Sequence, residues 1–292
     1  MQRIVLFLGT NLAILGVLFV VMQVFGVDQA LEQRGQSVVG LLTMATILGF
    51  GGAFVSLLIS KWMAKRTMGV HLIELPRNPQ EIWLVDTVRR QAKAAGIGMP
   101  EVGIFESPHM NAFATGPRRN SSLVAVSSTL LNVMSPREAE AVLAHEISHI
   151  ANGDMVTLTL IQGVVNTFVI FLARVLGTVI DNLLTGNRGN QPRRSGPFYF
   201  FIVMALQMVL GILATMIVAW FSRYREFRAD AGGAKLSSRQ NMIGALERLQ
   251  QRTPSPLPRQ LAAFGISGGK LANLFASHPP LEVRIAALRN AT

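Results

Sequence analysis

The 292-residue chain contains no cysteine. Disulfides, a cysteine nucleophile and a thiolate-held metal are therefore excluded, and any metal must sit on imidazole and carboxylate. Charge is scarce too: Asp, Glu, Lys and Arg make up 15% of the residues, while 50% are hydrophobic. Soluble domains carry about a quarter charged residues, so this balance fits a membrane protein with a soluble part. Acids are the rarer sign, 16 against 27 Lys and Arg, which leaves a net charge of +11. Such an excess can mark a nucleic-acid binder, but cations also gather beside membrane spans. Here Lys61, Lys65 and Arg66 follow one apolar run, and Arg223, Arg225 and Arg228 follow another. No nucleic-acid motif accompanies them, and no nucleic-acid partner is expected.

Four long apolar runs are present, at about 4–25, 38–60, 155–180 and 198–221. A helix needs about 20 apolar residues to cross a hydrocarbon core of about 30 Å, so each run is long enough. The first exceeds the apolar core of a cleaved signal peptide and has no small-residue cleavage site behind it. It reads as a retained span that also targets the chain. The loop after it is poor in cations, whereas residues 61–66 are rich in them, which puts the second loop in the cytoplasm. The organisation expected is a transmembrane hairpin over 1–60, a cytosolic part over 61–154, a second hairpin over 155–221 and a second cytosolic part over 222–292. The basic, Gly- and Pro-rich loop 181–197 fits this topology least well. The two cytosolic parts lie on one side of the membrane and can share a core and a site.

Within the first cytosolic part, Asn78-Pro79-Gln80-Glu81 is a helix start, and the helix should run to about Ala95. Short alternating segments around Val102–Phe105, Ala112–Thr115 and Leu123–Ser127 read as strands between turn residues. Ser135-Pro136-Arg137-Glu138 is a capping box, and its helix should end near Asn152-Gly153. Asp154 can then cap the third span.

In the middle of that helix stands His145-Glu146-Ile147-Ser148-His149, the pattern H-E-x-x-H. Helical spacing puts the two imidazoles on one face, where they can share a divalent metal, with Glu146 beside them as a base. A catalytic zinc site needs a third protein ligand and an open position for water. Glu226 and Asp230, four apart just past the fourth span, share a helix face. Glu226 could complete the set, with Asp230 orienting a histidine. Spacing alone leaves equal room for ion pairs with Arg223, Arg225 and Arg228. Two other classes of function are disfavoured. A purely structural metal site is usually Cys-rich, and a transporter usually carries ionisable residues in its spans, where Arg174 stands almost alone.

The order of these motifs resembles that of the HtpX family, bacterial membrane zinc metalloproteases of the gluzincin type related to the CAAX prenyl proteases. The match rests on His145–His149, a following apolar hairpin and Arg225-Glu226-Phe227-Arg228-Ala229-Asp230. Asn111-Ala112-Phe113-Ala114-Thr115-Gly116, the strand-like Leu123–Ser127 and Ser277-His278-Pro279-Pro280-Leu281-Glu282-Val283-Arg284 support it. The resemblance implies an α+β membrane protein with four transmembrane helices and a mainly helical, zincin-like cytosolic catalytic domain holding a small sheet. It implies one Zn²⁺ per chain on His145, His149 and Glu226, with Glu146 as general base and Asp230 orienting a zinc histidine. Asn111 and Ala112 would align substrate on an edge strand; a turn role for Asn111 is the alternative. His278 would stand near the substrate carbonyl, or else cap a helix before Pro279-Pro280. The implied substrates are misfolded membrane proteins. The implied place is a bacterial inner membrane, crossed several times, with the site facing the cytoplasm and a link to stress response. A CAAX-type prenyl-peptide protease is the nearest rival, with more spans than four.

Overall fold

The computed structural model describes residues 37–185, 198–252 and 276–291. The first expected span and most of the loop 181–197 lie outside them. The described residues fall into two compact units, 37–53 with 160–215, and 54–159 with 216–291.

The first unit consists of parts of three long helices, α1 (Val38–Met68), α5 (Asp154–Thr185) and α6 (Tyr199–Leu236). Each is long and apolar enough to cross a membrane. Three of the four expected spans are thus seen, and the count of four is not established. Leu41 and Ala45 of α1 pack on Phe171 and Val175 of α5. The helices approach closely at small residues. A side chain at Gly49 would begin 2.5 Å from Thr167 Oγ1, and one at Gly163 would meet the Phe50 ring. Many large apolar residues remain exposed here, among them Ile47, Met208 and Ile217, as a lipid-facing surface requires.

The second unit carries a four-stranded sheet and the shorter helices. In chain order these are β1 (His71–Leu72), α2 (Pro79–Ala94), β2 (Glu101–Phe105), β3 (Ala112–Arg118), β4 (Ser121–Ser127), α3 (Ser128–Val133), α4 (Pro136–Asn152), α7 (Arg239–Arg252) and α8 (Leu281–Asn290). The sheet order is β1-β2-β4-β3, with β2 and β4 parallel and the outer pairs antiparallel. Central β4 is buried at all but its first residue, which explains why Leu123-Val124-Ala125-Val126 reads as a continuous apolar run instead of an alternating one. Strand β1 was not foreseen; two exposed residues carry no periodicity.

Helices α2 and α4 cover one face of the sheet. Leu84, Val88, Leu143 and Ile147 pack there on Val102, Val124 and Val126. On the other face Phe105, Leu123 and Ala125 meet Ala64, Val70 and Phe113. A separate core joins α3, α4, α7 and α8 through Leu130, Val142, Met242, Leu246 and Ile285. Helix α4 therefore has core on two sides, and this fixes the helix that bears the H-E-x-x-H pattern. Its ends are equally defined. Ser135 and Glu138 form the capping box, and Gly153 closes the helix with φ +67°, a conformation glycine adopts without cost.

Strand β3 is an edge strand and runs against α4. Asn111 O accepts a hydrogen bond from Ser127 N at 2.8 Å, so Asn111 and Ser127 are a hydrogen-bonded pair. Opposed residues alternate in type along an antiparallel ladder. Ala112, opposite Val126, and Ala114, opposite Val124, therefore turn their N–H and C=O groups to the outer edge. Ser127 holds this corner twice over. Its hydroxyl accepts from Asn111 N at 2.9 Å and from Leu130 N at 3.1 Å, capping α3. Replacing Ser127 with Ala should cost about 1–2 kcal/mol, read as a lower thermal midpoint in detergent; an unchanged midpoint would show that neither bond matters.

Candidate active site

The candidate site is assembled from α4, the first residue of α5, the segment of α6 beyond its apolar part, and α8. His145 and His149 stand one turn apart on α4, with their Nε2 atoms 3.1 Å apart and their rings edge-on. Glu226 of α6 reaches both. Its Oε1 lies 3.3 Å from His149 Nε2, and its Oε2 lies 3.5 Å from His145 Nε2. Each imidazole is pinned from behind. Asp230 Oδ1 is 2.9 Å from His145 Nδ1, and Asp154 Oδ2 is 2.8 Å from His149 Nδ1. A carboxylate at Nδ1 fixes the tautomer that leaves the Nε2 lone pair for a metal.

The close approach of α6 to α4 depends on Gly232 and Gly233. A side chain at Gly232 would begin 2.6 Å from Ser148 Oγ, and one at Gly233 would begin 3.1 Å from the His145 backbone N. Two glycines within a helix cost about 1 kcal/mol each in propensity, and their return is the placement of Glu226 and Asp230.

Arg284 of α8, 6% exposed, closes the site from the other side. It donates from Nε and Nη2 to the two oxygens of Asp230 at 2.8 and 2.6 Å, and its Nη1 lies 3.3 Å from Glu226 Oε2. The neighbouring arginines of α6 turn elsewhere. Arg225 donates to Asp154 O and Ser222 Oγ, Arg228 to Asn152 Oδ1, and Arg223 to Ala276 O. The geometry thus disfavours the reading of Glu226 and Asp230 as plain surface acids.

His145, His149 and Glu226 each offer a ligand atom, all within 4.8 Å of one another. Glu226 is 1% exposed. Its Oε2 is buried and has no hydrogen bond, although His278 Nδ1 lies 2.8 Å away and Arg284 is near. These short contacts are ion pairs. A buried carboxylate oxygen without a hydrogen bond is costly, and a divalent cation is the partner that two imidazoles and a carboxylate would suit. The residues therefore fit a metal ion.

Electrostatics agree with the geometry. Burial alone would push His149 down, but the hydrogen bonds to Asp154 and Glu226 outweigh it and raise it to about 10. His145 is raised as well, burial again being outweighed by Asp230 and Glu226. Burial would push Glu226 up, yet the three histidines hold it far below the usual carboxylate range.

The structure brings five of the expected residues together: His145, His149, Glu226, Asp230 and His278. Glu146 is half-buried one residue along α4. Asn111 and Ala112 lie at the start of β3; the Asn111 backbone is taken up by Ser127 and its side chain is exposed. Three features were missed from the sequence. Asp154 was read only as a span cap, because its link to His149 crosses a helix break at Gly153. Arg284 gave no spacing signal. The Gly232-Gly233 pair did give one, since paired glycines inside a helix ask for a packing reason.

Two outcomes follow for the metal. A raised imidazole must lose its proton to bind an ion, so affinity should rise with pH up to about 10, with roughly one proton or more released per ion. Calorimetry in buffers of different ionisation heat measures this, and pH-independent uptake would contradict it. Asp154→Ala should weaken metal binding about 10–100-fold in competition with a chelator, and Asp154→Asn less; equal affinity in both variants would remove Asp154 from the site.

Comparison with known proteins agrees in family and fold. The model of peptidase family M48 matches residues 78–292. Protease HtpX of Stenotrophomonas maltophilia (strain R551-3) is 62% identical over 291 residues, covering 99% of this chain and 98% of that protein. The Protease HtpX homolog of Thiobacillus denitrificans (strain ATCC 25259 / T1) is 57% identical over 292 residues, covering 99% of each. Among solved structures, S. mikatae Ste24p matches with a TM-score of 0.62 at 21% identity, over 96% of this chain and 64% of that one. The chain thus spans just under two thirds of Ste24p, and this likeness speaks for the fold alone. With apolar helices long enough to span a bilayer and a largely buried His-His-Glu group fit for a metal, the chain belongs to peptidase family M48, as a membrane metalloprotease of the HtpX type.

Proposed function

We propose that the chain is a zinc endopeptidase that hydrolyses misfolded or damaged membrane proteins at the cytoplasmic face of a bacterial inner membrane. The observation that carries this reading is the trio of buried His145 and Glu226 with half-buried His149, with Glu146 beside the two histidines on a helix that runs directly into an apolar span. One Zn²⁺ per chain would be held by those three residues, leaving a position for water. Bound there, Zn²⁺ supplies Lewis acidity, lowering the pKa of water and polarising the scissile carbonyl.

The chain's own residues account for the remaining steps. Glu146 takes a proton from the attacking water and passes it to the leaving amine. Asp230 and Asp154 hold the two imidazoles by Nδ1. As an imidazolium, whose ring nitrogens both donate, His278 would give Nδ1–H to Glu226 and Nε2–H to the oxyanion at the substrate carbonyl. The outer edge of β3 suits an extended peptide, which would pair with the N–H and C=O groups of Ala112 and Ala114. Asn111 would contribute by its side chain.

The orientation follows from charge. Lys61, Lys65 and Arg66 follow α1's apolar part, which favours the cytoplasm for 61–154, between hairpins 1–60 and 155–221, and for 222–292 after the second hairpin. The family's HtpX proteases are compatible with a role in membrane-protein quality control under stress.

Glu146→Gln should retain the metal yet lose cleavage by about 100-fold or more. The assay is self-cleavage on adding Zn²⁺ to chelator-treated protein in detergent. Full proteolysis by the metal-loaded variant would sink the general-base role.

A further inference from the structure

Three helices change from apolar to polar at points that all fall within the second unit. Helix α1 does so at Lys61, α5 begins its apolar run after Asp154, and α6 ends its run before Ser222. Arg225 donates to Asp154 O at 3.1 Å, which ties the last two boundaries to one level.

The sheet can be placed against that level. Glu101, which opens β2, pairs with Lys61 at 2.8 Å and Lys65 at 2.6 Å. Further along β2, Gly103 packs against Val70, past the end of α1. Strand β2 therefore runs away from the boundary. Strand β1 is antiparallel to it, and Ile73 N donates to Val102 O at 2.9 Å, so the chain after β1 returns toward the boundary. The β3–β4 turn lies at the same end. Gly98 N donates to Asn120 Oδ1 at 2.9 Å, and the Arg119 guanidinium lies within 3.6 Å of where a side chain at Gly153 would begin.

That end of the sheet is both apolar and cationic at its surface. Leu75 is 78% exposed, Met99 44% and, on α1, Trp62 63%. Arg118 and Arg119 are exposed and have no acidic partner among the described residues. Single exposed apolar residues need no explanation, but a group of them beside two free arginines at a membrane boundary does. We propose that this end of the sheet rests on the bilayer surface, with Leu75 and Met99 inserted at the interface and Arg118 and Arg119 among anionic lipid phosphates. The catalytic part is then held to the membrane by a second contact besides its helices. The inference rests on reading α1 and α5 as spans.

The absence of native cysteine allows a clean test on the full chain. Single variants Leu75→Cys, Met99→Cys, Val55→Cys and Arg137→Cys would carry a spin label in nanodiscs containing phosphatidylglycerol. Collision with oxygen and with a water-soluble nickel complex reports depth. Val55 lies in α1's apolar part, and Arg137 opens α4, about 25 Å along that helix from its end at the boundary. Positions 75 and 99 should be shielded from nickel several-fold better than 137, approaching 55. If 55 is shielded while 75 and 99 are as wet as 137, the proposal is overturned and the spans stand. If 55 is itself wet, the span reading fails and the proposal with it. Adding Arg118→Glu and Arg119→Glu should raise nickel access at 75, and more so with phosphatidylglycerol than with phosphatidylcholine alone. Unchanged access in both lipids would overturn the headgroup contact.

Discussion

The site depends on one close helix crossing. Helix α6 meets α4 where Gly232 and Gly233 lie against Ser148 and the His145 backbone. Only at that separation can Glu226 reach both imidazoles and Asp230 reach His145. An alanine at either position would push the helices apart by contacts that real side chains rarely make. The carboxylates would then lose the short distances on which ligation depends. Local helix propensity is given up here so that tertiary geometry can be met, a conflict that natural sequences confine to functional places.

The same crossing sets the electrostatics. Glu226 and Asp230 are nearly fully buried, and burial alone would favour their neutral forms. The imidazoles and Arg284 reverse that preference. A group of acids and bases of this kind balances its charge internally, and taking away one member leaves another buried and unpaired. Asp230, Asp154 and Arg284 would thus be as necessary to a metal site as the three candidate ligands. Arg284 links Asp230 to Glu226, so α8 belongs to the site although it offers no ligand.

Much of this was legible from the residues. The capping box at Ser135 and the Asn-Gly signal before Asp154 define α4 in advance, because both rest on local backbone chemistry that needs no partner. Alternation and turn residues gave β2, β3 and β4 to within a few positions. The H-E-x-x-H spacing gave the two imidazoles and their neighbour Glu146. What spacing could not decide was whether Glu226 turns to the histidines or to the arginines around it. That choice depends on how far α6 stays helical beyond its apolar part and on what it packs against. Strand β1, Asp154 as a histidine partner and Arg284 were hidden for the same reason, since each acts only through contacts distant in sequence or across a helix break. The first span lies outside the described residues, and the sequence remains the ground for expecting it.

Asp154 joins the chemistry to the membrane. It is the residue at which α5 begins its apolar run, and its carboxylate holds His149. Glu226 stands five residues past Phe221, roughly 8 Å along α6. The metal-ligand group is therefore built within about two helical turns of the points where the helices become apolar, on elements that the boundary itself fixes. On the function proposed above, a site so placed would favour backbone presented at the bilayer surface over chain deep in either phase. Within the apolar phase an extended peptide would leave its polar groups unsatisfied. At the surface the open edge of β3 can supply hydrogen bonds while water remains at hand for hydrolysis.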